Sequence, residues 1–182
     1  MTNGSRVMVA LRVDSTPDVA FEAFTTQIGT WWRPNGLFQF SEGRTGTLAF
    51  EPGPTGRLVE TYPDGSAFAV GEIRCWDPPE LLVMSWREES FAADQETQLT
   101  VRFEEVGEQT RVTVEHVGWD AFPPEHAARH GIELSVFQLR LAQWWRDLLQ
   151  SLKRSTVDRS PGRRPTGSAG DDESACHRID RV

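Results

Sequence analysis

The chain reads as an α+β protein in which a curved antiparallel sheet wraps one long C-terminal helix. Three observations lead there. Leu134, Phe137, Leu141, Trp144, Trp145, Leu148 and Leu152 fall on one stripe at about 100° per residue, the mark of a long amphipathic helix. Upstream, β-branched runs separated by short turn signals imply adjacent hairpins rather than βαβ crossovers. A stripe that bulky needs a large concave partner, and the strands before it can supply one.

The elements follow in order. Val7, Val9, Leu11 and Val13 alternate with Met8, Ala10 and Arg12, which is strand periodicity. Ser15-Thr16-Pro17-Asp18 then opens a helix: a hydroxyl cap, a proline in the first turn, and an acid where the helix dipole favours it. That helix ends near Gly29, and a second short helix or turn carries Trp31-Trp32 before Pro34. A short strand is expected at Thr47–Phe50. Strands at 56–62 and 66–76 flank Pro63-Asp64-Gly65, whose Asp-Gly pair tolerates the positive φ of a tight turn. Asp77-Pro78-Pro79-Glu80 precedes a strand at 81–87, and Gly107-Glu108-Gln109 joins strands at 98–106 and 110–117. The last helix, expected from Gly131 to Arg154, spans roughly 36 Å at 1.5 Å per residue. A sheet gripping that helix can enclose a pocket.

Length sets one domain, residues 1–154, with a polar tail over 155–182. The tail contains Ser-Pro-Gly-Arg-Arg-Pro and Gly-Ser-Ala-Gly-Asp-Asp-Glu-Ser and has few large aliphatics, so it is expected to be disordered. It holds five arginines against five acids, so the formal charge of −8 sits in residues 1–154, with 14 basic and 22 acidic side chains. An acidic domain repels phosphate backbones, which argues against nucleic-acid binding. No apolar run approaches the ~20 residues a membrane span requires, and no basic-then-apolar leader opens the chain. Two cysteines, Cys75 and Cys176, do not make a secreted framework and are not expected to pair. The expected location is cytoplasmic.

Several side chains are candidates for chemistry. The tryptophans offer large π surfaces and fixed indole donors, suited to a hydrophobic or aromatic ligand, although core packing uses the same residues. The residues expected to line the cavity are Trp31, Trp32, Phe50, Trp76, Trp86, His116, Trp119, Phe137, Leu141 and Trp144. Trp31-Trp32 fits a cavity mouth, and Trp145 the groove between helix and first strand. Alternation sets His116 on the same face as Val112 and Val114, where it either binds a ligand or is a hydrogen-bonded core residue. Glu60 and Glu72 flank the Asp64-Gly65 turn, with solvated outer faces the simpler expectation for both. His126 and His130 fall four apart at the start of the helical segment, a two-imidazole arrangement lacking a third metal ligand. No metal, cofactor or catalytic residue is assigned. Ile132, Val136 and Leu139 form a second apolar patch opposite the main stripe, to be covered by the loop 118–130 or by a partner.

Three patterns carry a family likeness. They are Pro17-x-x-x-Phe21-x-Ala23-Phe24 followed by Trp31-Trp32-x-Pro34; Gly71-Glu72-Ile73-Arg74-x-x-Asp77-Pro78-Pro79-x-Leu81-Leu82-x-x-x-Trp86; and Thr110-Arg111-Val112-Thr113-Val114-x-His116-x-Gly118-Trp119. In this order they resemble the START-like SRPBCC superfamily over about residues 6–153. The nearest branch is named after the C-terminal domain of the activator of the ninety-kilodalton heat-shock protein's ATPase. The resemblance implies a helix-grip fold with a cavity between sheet and last helix. Members include lipid carriers, hormone and allergen-like binders, aromatase/cyclases and the co-chaperone domain, so fold alone does not choose among them. The implied function is non-catalytic binding of a hydrophobic small molecule. The alternatives are a co-chaperone-like module in the stress response, docking a chaperone or a second copy through Ile132, Val136 and Leu139, and a polyketide cyclase/aromatase-like enzyme.

Overall fold

A computed structural model describes residues 5–157. Seven antiparallel strands form one curled sheet in the order β1-β7-β6-β5-β4-β3-β2. They are β1 Arg6–Val13, β2 Thr47–Phe50, β3 Arg57–Thr61, β4 Ala67–Asp77, β5 Leu81–Trp86, β6 Thr97–Val106 and β7 Gln109–Val117. Helices α1 (Pro17–Phe24) and α2 (Ile28–Trp31) follow β1, and α3 (Leu134–Val157) closes the described chain. This is the expected α+β helix-grip.

Turn chemistry sets the register. Asp64 Oδ1 accepts from the backbone N–H and the hydroxyl of Ser66 at 2.9 and 2.6 Å, while Gly65 takes φ +84°. That turn closes Thr61 against Ala67, and a bulge between Leu58 and Val59 then places Leu58 opposite Gly71. At Gly71 the backbone of β4 runs hard against that of β5. A Cβ there would lie 1.8 Å from the Ser85 carbonyl oxygen, so only glycine fits. Gly71→Ala is expected to lower stability by about 1–3 kcal/mol, read as a drop in the urea midpoint. An unchanged midpoint would mean the β4–β5 hairpin can open without loss.

The stripe of α3 fills the concave face. Phe137, Leu141, Trp144, Trp145, Leu148 and Leu152 are buried, and Leu134 packs at its edge. The helix begins and ends three residues later than expected. A single 3-10 turn, Ala127–Arg129, precedes it, and His130 (φ +52°) and Gly131 (φ +71°) turn the chain in left-handed conformation before Leu134. His126 and His130 therefore cap this short turn and share no α3 face. At the other end Thr156 is buried, so residues 155–157 belong to the helix and not to a tail. The expected disorder beyond 157, and the pairing state that turns on Cys176, lie outside the described residues.

Glu60 is the second departure. It is buried, with its carboxylate accepting from Gly46 N–H and from the Tyr62 hydroxyl, each at 2.8 Å. Glu72, opposite Arg57 across the bulge, is exposed. The loop 118–130 does not cover the second patch of α3: Ile132 packs on the core, but Val136 is 43% and Leu139 70% exposed.

Candidate binding site

Between sheet and α3 lies a lattice of rings. Trp86 (β5) projects toward α3 and meets His116 at 5.4 Å, Phe40 at 5.1 Å and Trp145 at 5.9 Å between centroids. Trp32 adds edge-on contacts to Trp144 at 5.3 Å and Trp145 at 6.1 Å. Trp119, on a 3-10 turn (Trp119–Ala121) directly after β7, packs on Phe137 at 4.8 Å. Phe38 stacks on Trp144 at 4.8 Å with planes 15° apart and meets Phe137 edge-on at 5.6 Å. Offset and edge-on geometries of this kind stabilise beyond the area they bury.

Of the ten residues expected to line a cavity, Trp32, Trp86, His116, Trp119, Phe137 and Trp144 are brought into this one cluster, with Leu141 in the core that contains it. Trp31 is not at a mouth. It is wholly buried, and its indole N–H donates to the Ala23 carbonyl at 2.9 Å, fixing the α1–α2 corner. Phe50 and Trp76 lie farther along with Phe21, whose ring is 5.1 Å from Trp76, and join the lattice through the rings of Phe103, Phe24 and Trp31.

His116 points inward, as strand alternation requires, and is fully buried. Its hydrogen bonds run in one direction. Trp145 Nε1–H can only donate, so His116 Nδ1, 3.5 Å away, accepts. The ring proton is then on Nε2 and is donated to Thr97 Oγ1 at 2.8 Å, and the Thr97 hydroxyl donates onward to the Trp86 carbonyl at 3.3 Å. Burial among rings pushes the imidazole down to about 3. Both nitrogens are engaged, so a ligand reaching His116 must displace one of these bonds. Trp119 Nε1 and Trp144 Nε1 are different: both are buried donors without an acceptor among the described residues.

Sequence reasoning missed three features. Phe38 and Phe40 come from an irregular segment rich in glycine, with no periodicity to mark them. Arg129 is buried beside the Phe137 ring and donates to the carbonyls of Phe122 (2.6 Å) and Ile132 (2.7 Å), holding the turn before α3. Glu88 is buried in the β5–β6 connection, where desolvation pushes its carboxyl up to about 8. It lines a cleft of about 790 Å³ bounded by 36–43, 88–90 and 127–130. A second cleft of about 570 Å³ lies at the opposite end of the sheet, beside Pro17, Pro79 and Phe103. Among the described residues there is no His/Cys/Asp/Glu cluster able to hold a metal, and no helix long and apolar enough to cross a membrane.

The family model for activator of Hsp90 ATPase homolog 1-like proteins matches residues 14–155. The chain belongs to that family. Solved structures of the same fold include the Aha1 dimer from Colwellia psychrerythraea: TM-score 0.58, 15% identity, covering 84% of this chain and 96% of that one. An HSP90 activator from Plasmodium falciparum gives 0.56 and 18%, covering 85% and 97%. CalU16 from Micromonospora echinospora gives 0.54 and 18%, covering 86% and 77%. At such identities the likeness is one of fold. No curated protein matches the chain.

Proposed function

We propose that this member of the Hsp90-activator-like family is a non-catalytic binding module for a hydrophobic small molecule, held between the sheet and α3. The observation that carries the reading is the pair of unpartnered indole donors, Trp119 Nε1 and Trp144 Nε1, inside an aromatic interior. A buried donor left unsatisfied costs about 1–3 kcal/mol, a cost that a ligand carbonyl or hydroxyl would cancel. Phe38, stacked on Trp144, occupies the face an aromatic ligand would take. Trp32, Trp86, Phe137 and Leu141 would supply the apolar walls, with His116 keeping Trp86 and Trp145 in place. Phe50 and Trp76 would line the far end of the same interior.

Nile red, an apolar dye carrying a carbonyl acceptor, tests this. Saturable binding of one dye per chain is expected. Trp144→Phe and Trp119→Phe should each weaken it by up to about tenfold; each also lowers the melting temperature through lost ring packing, so affinity is compared per folded molecule at a temperature where both variants are folded. Stoichiometric binding untouched by both substitutions, or no saturable binding even in Phe38→Ala, would defeat the reading.

A second reading rests on the exposed Val136 and Leu139, three residues apart on the outer face of α3. They would make the chain a protein-docking module, toward a chaperone or a second copy. Leu139→Glu should then abolish association measured by light scattering or by titration with a purified Hsp90, while Nile red binding persists. Association unchanged by Leu139→Glu would remove this face from consideration.

A further inference from the structure

The cleft bounded by 36–43, 88–90 and 127–130 belongs to neither reading above. Two bonds build it. The Glu89 N–H donates to the Phe40 carbonyl at 2.7 Å, and His130 Nε2 meets the Leu37 carbonyl at 2.8 Å, so 88–90 and 127–130 are both tied to 36–43. Its floor and walls include Leu37, Phe40, Ala127 and Ala128, an apolar surface for a small organic body. Its volume is within the usual range for small-molecule sites.

Its charge is one-sided. The titratable side chains lining it are Glu42, Glu88, Glu89 and His130, with no lysine or arginine. Glu42 and Glu89 are exposed on the rim. Glu88 is 7% exposed, and its carboxyl has no hydrogen-bond or ion-pair partner among the described residues. An unpartnered acid at that depth is costly unless something outside the chain satisfies it. A metal fits poorly, since no three ligating groups converge here. We infer that the cleft binds an organic ammonium ion, its apolar body on Leu37 and Phe40 and its charge paired with the Glu88 carboxylate. Burial pushes the Glu88 carboxyl up, and an ammonium ion paired with it would lower it again.

Phenethylamine, an aryl-alkyl ammonium ion at pH 8.5, is the probe, titrated calorimetrically against the full chain. The expected result is one saturable site, with affinity falling at least tenfold in Glu88→Gln and about two- to threefold in Glu42→Gln or Glu89→Gln. Glu104→Gln, at the far cleft, controls for net charge and should change nothing. N-acetylphenethylamine, neutral with the same body, should bind at least tenfold more weakly. Equal binding of the amine and its amide, unchanged affinity in Glu88→Gln, tighter binding of calcium than of the amine, or no heat at all would each overturn the proposal. Because Trp119→Phe and Trp144→Phe are expected to leave phenethylamine binding intact, this site and the aromatic interior fail or stand separately.

Discussion

At pH 9, Glu88→Gln is expected to melt well above the unsubstituted protein. The folded state keeps the Glu88 proton up to about pH 8, whereas the unfolded chain releases it near 4.5. Between those values the folded state binds more protons, so stability falls as pH rises and levels off above 8. At about 1.36 kcal/mol per pH unit, this amounts to roughly 4–5 kcal/mol at full ionisation. Glutamine keeps the shape and removes the charge, returning most of that loss, which is about 10 °C for a domain of this size. The groups facing Glu88 across the cleft are Glu42, Glu89 and His130. The two rim acids carry the same sign and offer Glu88 no compensating charge. Near pH 4 the two proteins should melt together. Parallel melting curves from pH 4.5 to 8 would show that the Glu88 carboxylate is solvated or paired.

The acid limb belongs to His116. Its imidazole stays neutral in the folded state down to about pH 3, while the unfolded chain takes up a proton near 6.5. Here the unfolded state binds more protons, so stability is complete above 6.5 and is lost as pH falls toward 3. The full loss is again roughly 4–5 kcal/mol. His116→Leu should be less stable at pH 7 by about 1–3 kcal/mol, because the Trp145 N–H loses its acceptor and the Thr97 hydroxyl a bond. It should also lack this limb, so at about 1.36 kcal/mol per pH unit below 6.5 the difference between the two proteins should narrow and then reverse between about pH 6 and 4. A constant difference across the acid range would mean that the imidazole charges in place. Between 4.5 and 6.5 the slopes of Glu88 and His116 oppose, which sets a stability plateau there.

The helical stripe was legible because its spacing is local: Phe137, Leu141, Trp144, Trp145 and Leu148 repeat at helical period, and all are buried. Strands β1 and β7 were legible by alternation, and the β3–β4 and β6–β7 hairpins by the turn signals Pro63-Asp64-Gly65 and Gly107-Glu108-Gln109. In contrast, β5, Leu81–Trp86, is apolar nearly throughout and was marked by the prolines before it. Where α3 begins was not. Its start is delayed by Arg129, whose guanidinium gathers carbonyls from Phe122 and Ile132, and nothing near residue 129 announces a buried arginine. The inward aim of His116 followed from strand period, but its protonation state depends on Trp145 and Thr97, which only tertiary folding brings to it. Glu88 sits in Arg87-Glu88-Glu89-Ser90, a run that reads as a solvated loop. Its burial follows from the long-range bond of Glu89 to Phe40, which leaves no trace in local sequence. The sequence expectation for Glu60 failed similarly, since the Leu58/Val59 bulge decides which face its carboxylate takes.

The strand order has a consequence for how the molecule is made. β1 pairs only with β7, Val9 lying opposite Val114. During synthesis β1, α1 and α2 emerge long before any strand that can receive β1. The meander from β2 to β6 can zip progressively by neighbouring hairpins, but the half-barrel closes only after β7 has left the ribosome, and α3 seals it later still. Pairing across so great a sequence separation is intrinsically slow. Until then Val7, Val9 and Val13, all buried in the finished fold, are open to other chains. That interval, rather than any weakness of the completed protein, is when a newly made chain most needs protection from aggregation.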